Sequence, residues 1–500
     1  MNDYTKLQNG SDVRGVALPG VPGEPVTLTP EAARKITRAF TRWLGEKKGK
    51  SPAVLTIGVG RDSRLSGPEL AGRAAEGIIL EGACCKDCGM ASTPAMFMST
   101  VLPGYQWDGA VMITASHLPW NRNGLKFFTR EGGLESGDIR EVLALARELS
   151  PEEGLSGGKE MVKAEKSDLM AAYAAHLRQV IIDGIGIGKQ PLSGFRIAVD
   201  AGNGAGGFFA REVLEPLGAD TSASVFLEPD GHFPNHIPNP EDKGAIASIK
   251  RAVLEGGCDL GILFDTDVDR AGAVDQNGEE LCRNRLIGLL AAIAAREAPG
   301  SAVVTDSVTS AELGEFLTKK LGLIHRRFKR GYKNVINEGI RLNREGTPCL
   351  LAIETSGHAA MRENYFLDDG AYAAVKIIIQ AARLRGEGRT LGDLLSDLGE
   401  PVEAAEYRLP IGEEDFRAYG QRVLLALEEY ARKQAGWEVA LDNCEGVRVS
   451  IPKAEGWFLL RMSLHDPLMP LNIESGRAGG VAAILAELEP FLAAWALTRP

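Results

Sequence analysis

The chain alternates short apolar runs with longer segments of helical periodicity along most of its length. Runs such as AVLTIGVG (53–60) and GAVMIT (109–114) end in polar turns, and the amphipathic segment PELAGRAAEGIILEG follows the first of them. Strands that alternate with helices are typical of α/β layers built on largely parallel sheets. The pattern therefore predicts an α/β architecture.

Three apolar runs lead directly into polar loops. GAVMIT precedes ASHLPWNRNGLK, CDLGILF precedes DTDVDR, and CLLAI precedes ETSGH. Open α/β sheets bind their ligands beyond the carboxyl ends of the strands. We therefore expect these three loops to carry the function of the protein.

The order of elements changes after about residue 400. A charged helix, the apolar runs GVRVSIP and GWFLLRMSL and a final helix fit an α+β domain with an antiparallel sheet. The polar, glycine-rich segment 150–160 is predicted to be a loop. We place boundaries near residues 190, 297 and 400, which gives four domains: 1–190, 191–296, 297–400 and 401–500.

Length, charge and cysteine content narrow the class of protein. The 500 residues are too many for one hydrophobic core, and the formal net charge of −11 argues against a general affinity for nucleic acid or anionic membranes. Seven scattered cysteines indicate a reducing compartment rather than a disulfide framework. The N-terminus is polar and the apolar run 286–295 is too short to span a bilayer, so we expect a cytoplasmic protein.

The loop DTDVDR places Asp265, Asp267 and Asp269 at alternate positions directly after an apolar run. Three neighbouring carboxylates repel one another unless a cation lies between them, and oxygen ligands favour magnesium, manganese or calcium. An EF-hand is excluded, because Arg270 and Gln276 stand where its glycine and glutamate would be. Asp269 also disfavours a phosphatase of the haloacid-dehalogenase type. A solvated acidic turn is the remaining alternative.

Two further groups point to phosphate chemistry near this loop. Arg270 stands beside the acidic residues, and a guanidinium next to a divalent cation suits a phosphoryl group. Ser116 and His117 stand at the start of another polar turn, and Lys126 lies between apolar residues after that turn. Either that segment is a turn with no further role, or Ser116 carries chemistry and its neighbours position it.

Two glycine- or proline-rich segments have more than one interpretation. GNGAGG (202–207) fits the G-x-G-x-x-G pattern of dinucleotide sites, but a turn that packs closely is the interpretation we prefer. In PDGHFPNHIPNPED (229–242), His232 and His236 are either metal ligands or members of a rigid, hydrogen-bonded loop.

The third polar loop and a basic segment complete the candidate residues. Glu354, Ser356 and His358 of ETSGH are suited to binding a polyol, or alternatively to capping the following turn. Lys329 and Arg330 belong to RFKRGYKNV, a basic cluster in an acidic protein. Such a cluster is usually a solvated face, but a phosphate partner would also explain it.

Taken in order, these loops resemble the α-D-phosphohexomutase superfamily, the phosphoglucomutase and phosphomannomutase enzymes. TASHLPWNRNGLKF is similar to its T-A-S-H-N-P-x-x-x-N-G-x-K phosphoserine loop, DTDVDR to its D-x-D-x-D-R metal loop and ETSGH to its E-x-S-G-H sugar loop. SDVRG near the start and PDGHFPNHIPNP also fit. The resemblance runs from Ser11 to about residue 480, nearly the whole chain.

The resemblance implies an α/β protein with four domains around a central cleft, three of them similar α/β/α domains with mixed sheets and the fourth a smaller α+β C-terminal domain. In chain order the domains would supply the phosphoserine loop, the metal-binding loop, the sugar-recognition loop and the site for the substrate phosphate.

The resemblance also implies roles for particular residues. Ser116 would carry a phosphoryl group whose oxygen completes a magnesium site formed by Asp265, Asp267 and Asp269, with one ion per chain. The implied catalytic residues are Ser116, His117, Lys126, Arg270 and Arg14. The implied substrate-binding residues are Glu354, Ser356, His358, Lys329, Arg330, Ser475 and Arg477.

The chain departs from the family pattern in two places that matter. Leu118 stands where the phosphoserine loop often has asparagine. The C-terminal phosphate loop, R-x-S-G-T-E-P-like in the family, has LNIESGRAGG (471–480) as its nearest candidate. Ser475 and Arg477 either cradle a phosphate there or belong to a loop that begins a helix.

The resemblance implies a mutase that interconverts hexose 1-phosphate and hexose 6-phosphate, of glucose or mannose, through a phosphoserine and a hexose 1,6-bisphosphate intermediate. The alternatives are a metal-dependent sugar-phosphate phosphatase and a non-catalytic phosphosugar-binding protein. We expect small-molecule sugar phosphates as partners, no nucleic acid or membrane, and a monomer or homodimer.

Overall fold

A computed structural model describes residues 4–149, 163–463 and 466–498. The loop predicted for 150–160 lies outside these residues. The chain divides into two units: the first comprises Met1–Leu286 and Ser356–Asp393, and the second comprises Ile287–Thr355 and Leu394–Pro500. The predicted four-domain boundaries near 190, 297 and 400 stay predictions.

Helices and strands alternate along the chain, as the apolar pattern predicts. The helices are α1 (Pro30–Lys48), α2 (Gly67–Leu80), α3 (Thr93–Met98), α4 (Ser136–Glu148), α5 (Leu169–Ile185), α6 (Lys243–Gly256), α7 (Arg283–Glu297), α8 (Ala311–Glu315), α9 (Tyr332–Arg344), α10 (Gly370–Gly386), α11 (Phe416–Lys433) and α12 (Gly480–Ala494). The first strands are β1 (Gln8–Asn9), β2 (Asp12–Val16), β3 (Thr56–Arg61), β4 (Cys84–Met90), β5 (Gly109–Ile113), β6 (Arg122–Thr129), β7 (Gly132–Gly133), β8 (Glu165–Lys166), β9 (Ile197–Asp200), β10 (Leu260–Phe264) and β11 (Ala271–Asp275). The remaining strands are β12 (Glu280–Leu281), β13 (Ala302–Asp306), β14 (Ile324–Phe328), β15 (Cys349–Ile353), β16 (Ala359–Met361), β17 (Leu367–Asp368), β18 (Glu403–Pro410), β19 (Glu438–Val439), β20 (Val447–Ile451), β21 (Gly456–Leu460) and β22 (Leu468–Ser475).

Local sequence sets the ends of the helices. The Thr29 side chain accepts a hydrogen bond from Ala32 N at the start of α1, where Pro30 occupies the first helical position, and Gly49 ends that helix in the left-handed conformation. Asp242 caps α6 in the same way by accepting from Gly244 N and Ala245 N. These caps satisfy amide groups that would otherwise lack a partner.

The larger sheet of the first unit has the order β1-β2-β6-β5-β3-β4-β8, with β7 on β6. β3 runs parallel to β4 and β5, whereas β6 runs antiparallel to β5 and β2. Because β5 and β6 are antiparallel neighbours, the segment between them turns back sharply, and Met112 lies opposite Lys126. The sheet is therefore mixed, and it sets the position of the serine loop.

The second sheet of the first unit has the order β12-β11-β10-β9. β9 and β10 are parallel, and β10 pairs antiparallel with β11 so that Phe264 lies opposite Ala271. Residues 265–270 therefore form the tight connection of a hairpin. Its strands are fully buried, so the sheet forms a rigid base for the acidic residues.

The second unit contains three strands that pair in parallel and a separate antiparallel sheet. β13 pairs in parallel with β14 and β15. The C-terminal sheet has the order β18-β22-β21-β20-β19 and is antiparallel throughout. Residues of α11 and α12 form one core with it, including Val423, Leu427, Ile484 and Leu488. The antiparallel α+β arrangement predicted after residue 400 is confirmed.

No helix in the described parts of the chain has the length and apolar character needed to cross a membrane. The seven cysteines are all free. Cys84, Cys85 and Cys88 lie on β4, and burial raises the pKa of Cys85 to about 12, which makes its thiolate rare at neutral pH.

Candidate active site

The three aspartates of the β10–β11 hairpin converge on one point. Asp265, Asp267 and Asp269 are buried, and one carboxylate oxygen from each lies within 4.8 Å of the others. Val268 has a φ of 68°, in the left-handed region, and so helps to turn the chain between two of them. Oδ1 of Asp267 and Oδ1 of Asp269 have no hydrogen-bond partner in the described structure. Two buried oxygens without partners in an all-carboxylate cluster fit a divalent cation with oxygen ligands.

Ser116 lies at this cluster although it is 149 residues away in the chain. Its Oγ donates to Asp265 Oδ2 at 2.7 Å and accepts from Arg270 Nη2 at 2.8 Å. Ser116 has a φ of 51°, an uncommon conformation for a residue with a side chain, and its amide donates to Thr114 Oγ1. The backbone therefore holds the hydroxyl between a carboxylate and a guanidinium.

Lys126 and Thr93 contact the acidic cluster from the larger sheet and from α3. Nζ of Lys126 donates to Asp267 Oδ2 at 3.0 Å and also contacts Asp269 Oδ2. Thr93 Oγ1 donates to Asp267 Oδ2, and Thr93 N donates to the carbonyl of the same residue. Two residues from other elements of the first unit, Lys126 on β6 and Thr93 at the start of α3, therefore hold Asp267 in place.

Arg270 is fully buried and each edge of its guanidinium has a partner. Nε and Nη2 donate to Asp265 Oδ2, Nη2 also faces Ser116 Oγ and His117 Nδ1, and Nη1 donates to Asn239 Oδ1 at 3.2 Å. Although burial opposes its charge, the surrounding aspartates raise the pKa of Arg270. Arg270 therefore stays cationic beside the serine hydroxyl.

The surroundings shift the pKa values of Asp265 and Asp269 in opposite directions. Burial, together with Asp269 and Asp267, raises the pKa of Asp265 well above its ordinary value. Burial also works to raise the pKa of Asp269, but Lys126, His358 and Arg270 outweigh it and hold that pKa low. Positive charge from a bound cation would favour the ionised form of Asp265.

His117 lies beside Ser116, and Arg14 is close enough for its charge to act on the His117 ring. Burial, followed by the charges of Arg270 and Arg14, lowers the pKa of His117 to about 2, so its ring is neutral. Nδ1 can then accept from Arg270 Nη2 at 2.6 Å. Arg14 lies on β2, where it is paired with Gly124 of β6, and its guanidinium donates to Asp12 Oδ2.

His358 is the member of the sugar loop that reaches the acidic cluster. Its Nδ1 lies 2.5 Å from Asp368 Oδ2 and 4.0 Å from Asp269 Oδ1. Although burial opposes it, Asp368 and then Asp269 raise the pKa of His358 to about 9. Asp269, His358 and Asp368 also form a second group whose ligand atoms could hold a metal ion. Ser356 is buried in the same unit.

Glu354, Lys329 and Arg330 belong to the second unit. Glu354 is buried and its Oε1 accepts from Gly331 N at 2.7 Å, at the start of α9. Arg330 Nε lies 3.5 Å from Asp306 Oδ2, whereas Lys329 is exposed. The carboxylate and the basic segment that the sequence singles out are therefore neighbours within this unit.

The segment 471–480 is the end of β22 followed by the start of α12. Ser475 Oγ donates to Ala454 O and accepts from Arg477 N. Both oxygens of Glu403 accept from the first amides of the helix, Gly479 N at 2.7 Å and Val481 N at 3.1 Å. The amides that could cradle a phosphate therefore already have a carboxylate partner, and Arg477 is exposed.

The glycines of 202–207 form a closely packed turn, which is the interpretation that we prefer from the sequence. A Cβ on Gly204 would lie 2.6 Å from Thr266 O, and one on Gly202, which has a φ of 53°, would lie 2.8 Å from Pro238 Cβ. These glycines bring the turn after β9 against the acidic hairpin, so they are explained without a dinucleotide.

Arg64 is the main residue of the site that sequence reasoning missed. It is fully buried, and its guanidinium donates to four backbone carbonyls of the serine loop: those of Ser116, Leu118, Pro119 and Arg122. The adjacent Asp62 accepts from Arg64 N and from Thr114 Oγ1, and burial raises its pKa to about 6. The sequence signal was GRDSR, a charged turn directly after β3.

Replacing Arg64 should loosen the serine loop. In Arg64→Met the four carbonyls lose their donor, and at about 1 kcal/mol for each net hydrogen bond we expect a loss of roughly 2 to 4 kcal/mol in the free energy of unfolding. Urea unfolding and limited proteolysis within 115–122 measure the two effects. Arg61→Met is the matched control, because Arg61 is the last residue of β3, directly before the turn, and donates to one carbonyl, that of Asp62. Equal stability and equal protease resistance of the two variants would contradict this role.

Three family models match successive parts of the chain. They are the phosphoglucomutase/phosphomannomutase alpha/beta/alpha domains I, II and III, which match residues 5–150, 171–278 and 283–401. The three α/β/α domains predicted from the sequence are therefore confirmed as such, and the described C-terminal sheet follows them.

Curated relatives match over almost the full length. A phosphoglucomutase of Neisseria gonorrhoeae is 29% identical over 482 residues, covering 95% of this chain and 94% of its own. A phosphomannomutase/phosphoglucomutase of Pseudomonas aeruginosa is 30% identical over 469 residues, covering 92% and 91%. Among solved structures, a phosphoglucomutase/phosphomannomutase family protein from Burkholderia thailandensis is 26% identical with a TM-score of 0.78 and covers 98% of both chains.

Proposed function

The chain belongs to the phosphoglucomutase/phosphomannomutase family, and from this we propose that it interconverts hexose 1-phosphate and hexose 6-phosphate through a phosphorylated Ser116. It is an isomerase-class phosphotransferase. We propose glucose and mannose phosphates as its substrates and a hexose 1,6-bisphosphate as the intermediate that remains bound between the two transfers.

The position of the Ser116 hydroxyl carries the proposal. It is a buried hydroxyl held between Asp265 and Arg270, with Lys126 on the same acidic cluster. A hydroxyl of no chemical importance would more commonly face solvent or cap a turn. A buried serine surrounded by a carboxylate cluster and two cations is suited to storing a phosphoryl group as an ester.

Asp265, Asp267 and Asp269 would hold the metal ion, which we take to be magnesium. Their all-oxygen donor set and the partnerless oxygens of Asp267 and Asp269 fit this ion. When bound, magnesium supplies stabilisation of the negative charge on the phosphoryl oxygens. Arg270 and Lys126 supply fixed positive charge to the same group from either side, and His117 is neutral and available as a hydrogen-bond partner.

The proposed reaction has two phosphoryl transfers, the first from Ser116 to the sugar and the second from the sugar back to Ser116. The hexose 6-hydroxyl of the 1-phosphate attacks the phosphoserine, the bond between Ser116 Oγ and phosphorus breaks, and the hydroxyl proton passes to a basic side chain. The resulting 1,6-bisphosphate turns over in the site. Ser116 Oγ then gives up its proton and attacks the phosphorus of the 1-phosphate, and the bond between that phosphorus and the sugar O1 breaks. O1 takes up a proton, so hexose 6-phosphate departs and the serine ester is restored. Exclusion of water protects the ester between the steps.

Glu354, Ser356 and His358 are proposed to read the sugar hydroxyls, as the resemblance of ETSGH implies. Glu354 is held by Gly331 N in the second unit, and His358 by Asp368 in the first. Carboxylate and imidazole groups fixed in this way favour hydroxyl recognition, because a site built to hydrogen-bond a hydroxyl rejects ligands that lack it.

The substrate phosphate has a second candidate site besides Ser475 and Arg477. RMSLHDP (461–467) also follows the R-x-S-G-T-E-P spacing, with Arg461, Ser463 and Pro467 in register and Asp466 in place of glutamate. It connects β21 and β22 in the second unit, and residues 464 and 465 lie outside the described parts. Arg461 is buried, its Nε has no hydrogen-bond partner there, and Glu445 Oε1 lies 4.0 Å from its Nη1. A guanidinium in this situation is suited to a phosphate.

Two substitutions distinguish these segments. A guanidinium–phosphate pair contributes about 1.5 to 3 kcal/mol, so we expect Arg461→Met to raise the KM for hexose phosphates by roughly ten- to a hundredfold. Arg477→Met, the matched control on an exposed side chain, should change KM less than about threefold. Steady-state kinetics with saturating bisphosphate measure both. The reverse order of effects would place the substrate phosphate on 471–480.

The mutase proposal is tested with the purified protein, magnesium, glucose 1-phosphate and a trace of glucose 1,6-bisphosphate. We expect glucose 6-phosphate as the product, no net inorganic phosphate, and a phosphate-sized mass increment that maps to Ser116 and exchanges with labelled bisphosphate. Release of inorganic phosphate without isomerisation would instead identify a metal-dependent phosphatase. Comparison of kcat/KM for glucose, mannose and glucosamine 1-phosphates then settles the preferred sugar.

A further inference from the structure

The loop 229–242, PDGHFPNHIPNPED, packs against several parts of the candidate site within the first unit. Asn235 Nδ2 donates to Asn203 Oδ1 at 2.7 Å, Pro238 lies against Gly202, and the ring of Phe233 lies 5.3 Å from the guanidinium carbon of Arg64. The mutase chemistry described above makes no use of this loop. Its packing on the glycine turn and on Arg64 nevertheless fixes where its next residues lie.

Asn239, near the end of this loop, contacts Arg270 directly. Its Oδ1 accepts from Arg270 Nη1 at 3.2 Å and from Glu241 N at 3.1 Å. Two donors converge on one atom, so that atom is the amide oxygen and the orientation of the side chain is settled by its partners. The backbone amide of Glu241 holds the Asn239 side chain in place, and the Arg270 guanidinium is the second hydrogen-bond donor to the same oxygen.

The other side-chain partners of Arg270 all belong to the reacting groups. They are Asp265, Asp269, Ser116 and His117. Their charges and contacts change when a phosphoryl group arrives on Ser116 or leaves it. Asn239 is neutral, lies on a different segment and is not altered by the transfer. Among the side-chain partners of Arg270 in the described residues, Asn239 is therefore the acceptor that stays fixed through both steps.

A buried ion pair anchors the loop three residues before Asn239. His236 Nε2 lies 3.0 and 3.1 Å from the two oxygens of Asp200, and Nδ1 lies 3.0 Å from Ile237 O. Both ring nitrogens face acceptors, so both carry hydrogen and the ring is an imidazolium. The side chains are 6% and 0% exposed. Asp200 is the last residue of β9, so the loop is tied to the end of the strand at one edge of the second sheet.

We propose that Asn239 is a positioning residue for Arg270, and that the His236–Asp200 pair holds Asn239 in place. The proposal rests on the proposed mutase function, in which Arg270 stabilises the phosphoryl group. Without the Asn239 oxygen, the remaining side-chain partners of Arg270 in the described parts of the chain would be groups whose contacts change during each transfer. Misplacement of Arg270 should then slow the chemical step more than it weakens substrate binding.

Asn239→Ala is expected to lower kcat by about 10- to 100-fold, because small displacements of a catalytic group have effects of this size, while KM changes less than about threefold. Asn239→Asp keeps the accepting oxygen and should recover most of kcat. Asn277→Ala is the matched control: Asn277 is exposed in the β11–β12 turn and contacts Asp275, not Arg270. A kcat within twofold of the wild type in Asn239→Ala, or a loss confined to KM, would overturn the proposal.

A crystal structure of Asn239→Ala gives a readout that does not depend on the mutase assay. We expect the Arg270 guanidinium to rotate out of its wild-type plane, so that Nη1 no longer points toward residue 239, while Asp265, Asp267 and Asp269 keep their positions. An unchanged guanidinium refutes the positioning role even if the protein proves to have another activity. Absence of mutase activity in the wild type, together with a displaced guanidinium, would refute the proposed function and leave the positioning role standing.

The anchoring pair predicts a dependence on pH. Burial opposes the charge of His236, but its hydrogen bond and ion pair with Asp200, with a further contribution from Asp242, raise its pKa. A raised pKa in the folded state stabilises the protein fully below the ordinary histidine pKa, and the stabilisation is lost as the pH rises through the raised value. The difference in Tm between wild type and His236→Gln should therefore be largest near pH 6 and shrink in alkaline solution. A difference that is constant with pH would contradict a charged anchor.

Discussion

Ser116→Ala is expected to reduce mutase activity by ~10⁴-fold or more and to abolish the phosphate-sized mass increment of the protein. The hydroxyl is the atom on which the phosphoryl group would be stored, and no other hydroxyl among the described residues bridges Asp265 and Arg270 as Ser116 does. Without it the bisphosphate can bind but cannot be formed from the monophosphate. Intact-protein mass spectrometry and the isomerisation assay measure the two effects independently.

The matched control is Ser63→Ala. Ser63 is also buried in the first unit, and its Oγ has no hydrogen-bond partner in the described structure. Removal of that hydroxyl should leave both the phosphorylation and the turnover within about twofold of the wild type. If Ser116→Ala keeps the mass increment, the phosphoryl group is carried elsewhere and the assignment of Ser116 is wrong.

Asp267→Asn is expected to remove tight magnesium binding and to lower kcat by at least about a thousandfold, since a catalytic metal supplies several kcal/mol of charge stabilisation. Asp267 is buried at the centre of the hairpin, has one partnerless oxygen, and receives hydrogen bonds from Lys126 and Thr93 on the other. Asparagine keeps the shape and one oxygen but loses the negative charge. Calorimetric titration with magnesium and steady-state kinetics provide the measurements.

Asp275→Asn serves as the control for this change. Asp275 is a buried carboxylate at the end of β11 that accepts from the turn amides Asn277 N and Glu279 N, away from the cluster. Its replacement should lower Tm without weakening magnesium binding. If Asp267→Asn binds magnesium as tightly as the wild type, the cation site lies elsewhere, and the second group formed by Asp269, His358 and Asp368 becomes the place to test.

Much of the fold could be predicted because apolar runs and helical periodicity report directly on burial. The strand before DTDVDR, the helix at Gly67–Leu80 and the antiparallel C-terminal sheet all follow from that pattern. The meeting of Ser116 with Asp265 depends instead on how two sheets pack, and no local pattern encodes a contact across 149 residues. The family resemblance supplied that link, and spacing alone did not.

Two positioning groups escaped sequence reasoning for different physical reasons. Arg64 acts on backbone carbonyls, which every residue possesses, so no partner side chain marks its role. Asn239 lies in a loop whose prolines and histidines suggested rigidity or metal binding, and its contact with Arg270 appears only in three dimensions. His236 was predicted to be either a metal ligand or hydrogen-bonded, and the second interpretation is confirmed.

The four hydrogen bonds from Arg64 to backbone carbonyls also explain why the loop can carry leucine at position 118. The serine loop is held through main-chain oxygens that do not depend on which side chains it carries, so Leu118 contributes its carbonyl and its side chain is under little constraint from that contact. A different side chain at position 118 would leave this hydrogen bond in place, whereas the bond cannot form without the arginine 54 residues earlier. The shape of the serine loop is therefore set largely by a side chain from a different segment of the chain.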